Sequence, residues 1–116
     1  MPLLTPVTAT IAASGSLSPQ TDIFPYTLVG IQMPAAWTAA SMSFQVSPDE
    51  GVTWLELVTY AGANLALTVA AGQYIAVDPT QWKGITSVKV RSGTLASPVT
   101  QGSQAVVTLW LRQLVA

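Results

Sequence analysis

The fold is decided by the stretch SFQVSPDEGVTW, residues 43–54, in which an alternating run leads into turn residues and a tryptophan. Together with the preceding residue, the run places Met42, Phe44 and Val46 at every second position, with polar residues between them. A period of two is that of a β-strand with one buried face. The next four residues, Pro-Asp-Glu-Gly, are of types that favour turns. The stretch therefore predicts a β-hairpin within a β-sheet fold.

The same stretch contains the spacing S-x-D-x-G-x-T-W, which is formed by Ser47, Asp49, Gly51, Thr53 and Trp54. It resembles the Asp-box of sialidases, where the motif recurs once per propeller blade, away from the catalytic centre. Here the motif occurs once, and 116 residues are too few for a propeller. An Asp side chain can accept hydrogen bonds from nearby backbone amides, and glycine adopts a positive φ without strain. We therefore predict that the motif specifies a hairpin turn and is not a sugar site.

The remainder of the chain consists of further short segments rich in β-forming residues, separated by turn signals. These segments are residues 7–13, 26–33, 53–60, 65–70, 73–78, 86–90 and 105–115. About eight strands with frequent turns predict a single all-β domain over residues 1–116, a sandwich or a barrel. Of these we favour an antiparallel, jelly-roll-like β-sandwich. Residues 34–41 and 78–84 contain prolines suited to a helix start, but each segment is too short for more than a loop or a 3₁₀ turn.

The composition indicates a surface that is partly covered. Charged residues make up 8% of the chain, against roughly 25% in an ordinary soluble domain. We expect a homo-oligomer, for example a trimer, or attachment to a larger scaffold. The alternative is a monomer with a Ser/Thr-rich surface. A net charge of −1 argues against a nucleic-acid partner. No apolar run has transmembrane length, and the start MPLLTPVTAT lacks the positive region of a signal peptide.

The final segment, residues 105–115, carries large apolar side chains on both faces. An outer strand that faces water on one side is expected to be polar there. We therefore predict that its outer face meets another subunit, with Val106, Trp110, Leu114 and Arg91 as interface residues. The alternative is that the N-terminal segment of the same chain covers this face.

The side-chain chemistry points away from catalysis. The chain has no histidine and no cysteine, which excludes Ser–His and Cys–His nucleophile systems, disulfides and the common zinc sites. Its five acidic residues include no pair placed to flank a glycosidic bond. We therefore expect no catalytic residue, no metal and no cofactor. Exposed aromatic rings can serve as sugar platforms, and Trp37 and Trp82, in the loop-like segments, are the candidates for that alternative role.

Two long stretches, residues 14–22 and 92–104, show no regular periodicity. Loops of this length inside a compact domain are usually functional or held in place by a neighbour. We expect them to contribute to contacts with other subunits.

Three segments, residues 28–54, 74–94 and 97–112, resemble in order and spacing the small structural proteins of tailed bacteriophages and gene-transfer particles. The resemblance carries no catalytic motif. It implies a virion component located in the particle: a head-decoration protein, a head fibre or spike, or a tail-associated β-sandwich with other virion proteins as partners. The alternative is a carbohydrate-binding module of a fibre or tail that contacts host glycans. In this chain the turn SPDEG has one residue more than the commoner S-x-D-G turn of that group.

Overall fold

The computed structural model describes residues 4–113. Within that range the chain forms eight β-strands and one short 3₁₀ helix, and no α-helix. The strands are β1 (Leu4–Ile11), β2 (Thr21–Asp22), β3 (Tyr26–Gln32), β4 (Met42–Ser47), β5 (Leu55–Glu56), β6 (Tyr74–Ala76), β7 (Ser87–Ser92) and β8 (Ala105–Gln113). The 3₁₀ helix, Pro79–Trp82, follows β6. The described range holds no helix that is long and apolar enough to cross a membrane.

The strands form two four-stranded sheets. Sheet A has the order β1-β8-β3-β6 and sheet B the order β2-β7-β4-β5, and every strand pairing is antiparallel. Eight strands in this order, with the first strand beside the last, form a jelly roll. The prediction of an all-β, antiparallel, jelly-roll-like sandwich of about eight strands is therefore confirmed.

The core lies between the two sheets. In sheet B the inward positions of the alternating stretch, Met42 and Phe44, are fully buried, as is Val90 of the neighbouring strand. In sheet A, Ile31 and Leu109 are fully buried opposite them. Each strand contributes every second residue to the interior, because side chains alternate between the faces of a pleated sheet. The inward residues predicted for β4, Met42, Phe44 and Val46, are buried, and Ser43 and Ser47 on the other face of the strand are buried as well.

Three of the predicted strands are shorter or absent, and one of them, residues 73–78, forms only the three residues of β6. The segment 53–60 forms only the two residues of β5, and the segment 65–70 forms no strand. Leu67 is held by two backbone hydrogen bonds to Met42, of 2.8 and 3.0 Å, but no ladder continues from that bridge. The alternating pattern still directs Leu65 and Leu67 towards the core. An alternating pattern predicts which side chains face the core. It does not predict that the backbone of the segment pairs with another strand.

The two long irregular stretches are held by the protein itself. Residues 14–22 run beside β7: the Ser18 amide donates to the Val90 carbonyl at 2.8 Å, the Ser92 amide donates to the Ser16 carbonyl at 2.7 Å, and β2 completes the edge. Residues 92–104 return to this edge at Gln101, whose backbone exchanges hydrogen bonds of 2.8 and 2.9 Å with Ser14 and Gly15. Both stretches are thus tied to the domain by backbone hydrogen bonds within the chain, and their contacts with other subunits stay a prediction.

Candidate functional surfaces

The Asp-box residues build the turn that joins β4 to β5. The Ser47 hydroxyl donates to Asp49 Oδ1 at 2.7 Å and accepts from the Gly51 amide at 2.8 Å. Asp49 Oδ1 also accepts from the Thr53 amide at 2.8 Å. Gly51 has a φ of 96°, in the region that favours glycine. Side chains of the motif thus take up backbone donors of the turn, as in an Asx turn.

The extra residue of this turn, Glu50, also has a positive φ, 60°. Its amide donates to Thr86 Oγ1 at 2.8 Å, and the Thr86 hydroxyl in turn donates to the Ser47 carbonyl at 3.0 Å. These bonds attach the turn to the start of β7. The half-buried indole of Trp54 lies under Lys89 of β7, whose Nζ is 4.5 Å from the ring centroid.

Two carboxylates have lowered pKa values because they accept hydrogen bonds. The pKa of Asp49 lies below its usual value, first because of the Ser47 hydroxyl and then because of the Thr53 amide. The pKa of Asp22 is lowered first by the Gln20 side chain and then by the Ser87 hydroxyl. Each hydrogen bond favours the ionised form of its acceptor. Both groups therefore act as charged structural acceptors on the surface of sheet B. The described residues hold no group of three or more metal-ligating side chains.

Of the two tryptophans considered as sugar platforms, Trp82 is buried and Trp37 is half-buried. Trp82 is 1% exposed and its ring meets Phe44 edge to face, with centroids 4.9 Å apart. Trp82 therefore has no free face for a sugar, which was the alternative role considered for it, and lies in the core. The cause is the 3₁₀ helix, which turns this residue inward from a segment that otherwise looks like a surface loop. Trp37 is half-buried against the core, and its Nε1 donates to the Ala40 carbonyl at 3.3 Å.

Three of the four predicted interface residues fall within the described part of the chain. Val106 is exposed and Trp110 is half-buried, and both lie on the outer face of sheet A. Their strand, β8, is paired on both sides, so it is a central strand and not an outer one. Leu114 lies outside the described residues.

Arg91, the remaining predicted interface residue, lies in the other sheet and is buried. Its Nη1 donates to Glu56 Oε2 at 2.8 Å and to the Ser43 hydroxyl at 3.0 Å. A surface role for Arg91 is therefore wrong, because its charge is committed to an intramolecular ion pair. Breaking such a pair leaves an uncompensated buried charge, so the pair belongs to the architecture of sheet B.

The outer face of sheet A carries an aromatic group that the sequence analysis missed. Tyr74 of β6 lies across the neighbouring strand, and a Cβ added at Gly30 would fall 1.9 Å from its hydroxyl. Gly30 is also opposite Trp110 in the register of β3 and β8, and Trp110 Nε1 donates to Gln32 Oε1 at 3.0 Å. The alternation of residues 73–78 could have indicated that Tyr74 lies on the outer face, because it falls between the inward positions. That Gly30 lies beneath the tyrosine ring, and leaves room for it, follows only from the pairing of β3 with β6.

Comparison of the chain with protein-family models, with curated proteins and with solved structures finds no match. The resemblance to virion proteins therefore stays a prediction.

Proposed function

We propose that this protein is a non-enzymatic structural component of a tailed-phage or gene-transfer particle, which docks on the particle through the outer face of sheet A. One observation carries the proposal. This face displays exposed apolar side chains from three different strands, Leu4 of β1, Val106 of β8 and Tyr74 of β6, beside the half-buried Trp110. Apolar groups gathered on one face of a protein mark an interaction surface.

The charge distribution supports the same face. Among the outward positions of β1, β8, β3 and β6 in the described register, Arg112 carries the only charge. The outward positions of sheet B differ: they include the exposed Asp22 and the half-buried Lys89, while the Arg91–Glu56 pair on that side is largely buried. Interface cores are depleted in charged residues and enriched in aromatic ones. Of the two sheet faces, that of sheet A suits burial against shell subunits.

The particle itself provides the test. Particles purified from the bacterial strain that encodes the chain are expected to contain the protein, and an antibody to it is expected to label them at regular positions. Val106→Lys places a charge on the docking face and is expected to reduce incorporation at least tenfold. Val52→Lys is the matched control, because Val52 is 84% exposed in the Asp-box turn and is expected to leave incorporation unchanged. Absence of the wild-type protein from purified particles, or equal loss with both variants, would contradict the proposal.

A further inference from the structure

A cleft of about 510 Å³ opens on the side of the molecule away from β1. One wall is formed by residues 57–60 and Leu65, and the opposite wall by Asp78, Thr80 and Gln81. This volume lies within the range of roughly 300–1,000 Å³ that small-molecule sites occupy. The described cleft is separate from the outer face of sheet A, since it includes neither Tyr74 nor Trp110.

Both walls are fixed by internal bonds. The wall formed by residues 57–60 and Leu65 belongs to a second, short hairpin. Its backbone is joined by hydrogen bonds from the Thr59 amide to the Ala63 carbonyl, 2.7 Å, and from the Leu65 amide to the Leu57 carbonyl, 2.9 Å. The helix wall begins at Asp78, whose Oδ1 accepts from the Thr80 amide at 3.0 Å as an N-cap. It ends at Trp82, which is anchored in the core. The residue first considered as a sugar platform thus positions a wall of the cleft.

The lining combines an apolar surface with neutral hydrogen-bonding groups. Leu57 and Leu65 are partly buried and pack against the core, so they form a fixed apolar surface. Tyr60 is fully exposed, at 104%, and offers a free aromatic ring. Gln81 supplies both amide donors and an acceptor, and the Thr59 and Thr80 hydroxyls supply both functions as well. The one charged group of the lining is Asp78, whose Oδ2 makes no hydrogen bond within residues 4–113.

We infer that the cleft binds a neutral saccharide. A pyranose ring has an apolar C–H face, which matches an exposed aromatic ring, and a rim of hydroxyls, which matches a free carboxylate oxygen beside an amide. A strongly anionic ligand would be repelled by Asp78. A purely apolar ligand would use none of the hydrogen-bonding groups of the lining, and it would lose affinity wherever it covered the exposed Asp78 carboxylate or Gln81 amide. The inference does not depend on the particle proposal, because the cleft and the docking face share no residue.

The test uses the full chain labelled with ¹⁵N and titrated with glucose, galactose, mannose, N-acetylglucosamine and their disaccharides. At least one of these sugars is expected to bind, with an affinity of roughly millimolar order. Its chemical-shift changes are expected to be confined to residues 57–65 and 78–81. Tyr60→Ala and Asp78→Asn are each expected to weaken binding about tenfold, through loss of the aromatic contact and of the charged acceptor. Asn is itself a good N-cap, so the second variant preserves the helix wall.

Tyr74→Ala is the matched control, since it removes an exposed tyrosine from the outer face of sheet A. It is expected to leave sugar affinity unchanged. The inference is overturned if none of the sugars shifts the cleft resonances, if the shifts map to the face around Tyr74, or if n-butylammonium binds the cleft in preference to every sugar. Preserved dispersion of the other resonances in each variant shows that the fold is intact.

Discussion

Asp49 shows how a single side chain closes a turn. Its carboxylate accepts hydrogen bonds from a hydroxyl two residues earlier, on Ser47, and from a backbone amide four residues later, on Thr53. All three groups lie within one turn of chain, so the arrangement follows from local spacing. The same bonds lower the pKa of Asp49. Because the folded-state pKa is depressed, the carboxylate stabilises the fold above its unfolded pKa, and this contribution is lost as the pH falls through the folded-state value.

Asp49→Asn is therefore expected to lower the melting temperature near pH 7. The difference from wild type is expected to shrink as the pH falls below the ordinary Asp pKa of 3.8, because a protonated Asp resembles Asn. Thermal unfolding followed by circular dichroism across this range measures the effect. Glu50→Gln is the control, because the Glu50 side chain makes no hydrogen bond within the described residues, and its melting curve is expected to follow that of wild type. A deficit of Asp49→Asn that stays constant with pH would show that the charge does not contribute.

At the scale of elements, Gln101 joins three parts of the chain that are distant in sequence. Its Oε1 accepts from the Thr38 amide at 2.7 Å, and its Nε2 donates to the Thr38 carbonyl at 3.1 Å and to the Ser92 hydroxyl at 2.7 Å. Its backbone binds Ser14 and Gly15. The side-chain amide thus holds the segment before β4 to the end of β7, and the backbone of the same residue holds the connection after β1. A buried polar group that is fully paired stabilises such a junction, and it becomes costly when a partner is removed.

Gln101→Ala is expected to destabilise the protein by about 1–3 kcal/mol, since it leaves the buried Ser92 hydroxyl and the backbone groups of Thr38 without their partner. Urea unfolding measures this loss as a lower midpoint. Gln104→Ala is the matched control, because Gln104 is exposed in the same loop, and its effect is expected to stay within about 0.5 kcal/mol. Equal effects of the two substitutions would refute the junction role of Gln101.

At the scale of the whole molecule, the jelly roll brings the first and last strands together. β1 pairs with β8 along its full length, and Thr8 lies directly opposite Thr108. Such a topology depends on contacts between residues far apart in sequence. Pairing of β1 with β8 closes a loop that contains most of the chain, and the entropy lost in closing it opposes folding. Proteins with such long-range pairing typically fold slowly.

A disulfide between these strands is expected to stabilise the fold strongly. In the variant Thr8→Cys/Thr108→Cys, oxidation closes a loop of about 100 residues, and the expected gain is roughly 2–4 kcal/mol. The melting temperature is expected to rise by about 10 °C, and the reduced form of the same variant serves as control. The wild-type chain has no cysteine, so no other disulfide competes. Failure of the two cysteines to oxidise in the native state would contradict the register of β1 and β8.

The sequence predictions for β4 depend on neighbouring residues and were correct, whereas the roles considered for Trp82 and Arg91 depend on contacts between distant residues and were not. The class of fold and the burial of Met42, Phe44 and Val46 in β4 depend on residues within a few positions of one another, and these predictions were correct. Trp82 was considered as a sugar platform because it lies in a loop-like segment, yet its burial against Phe44 is a long-range contact. Arg91 was predicted at an interface, but it pairs with Glu56, which is 35 positions away in the chain. Neither partner can be identified from local pattern alone.

What the sequence by itself determined is the alternation that makes this an all-β protein and the spacing of Ser47, Asp49 and Gly51 that closes its hairpin. Both are local properties, in which side-chain direction and backbone φ are set by near neighbours. The tertiary structure alone decided the strand order, the aromatic group on the outer face of sheet A, and the cleft between residues 57–65 and 78–81. These features join residues from distant parts of the chain, and their geometry exists only once the two sheets have packed.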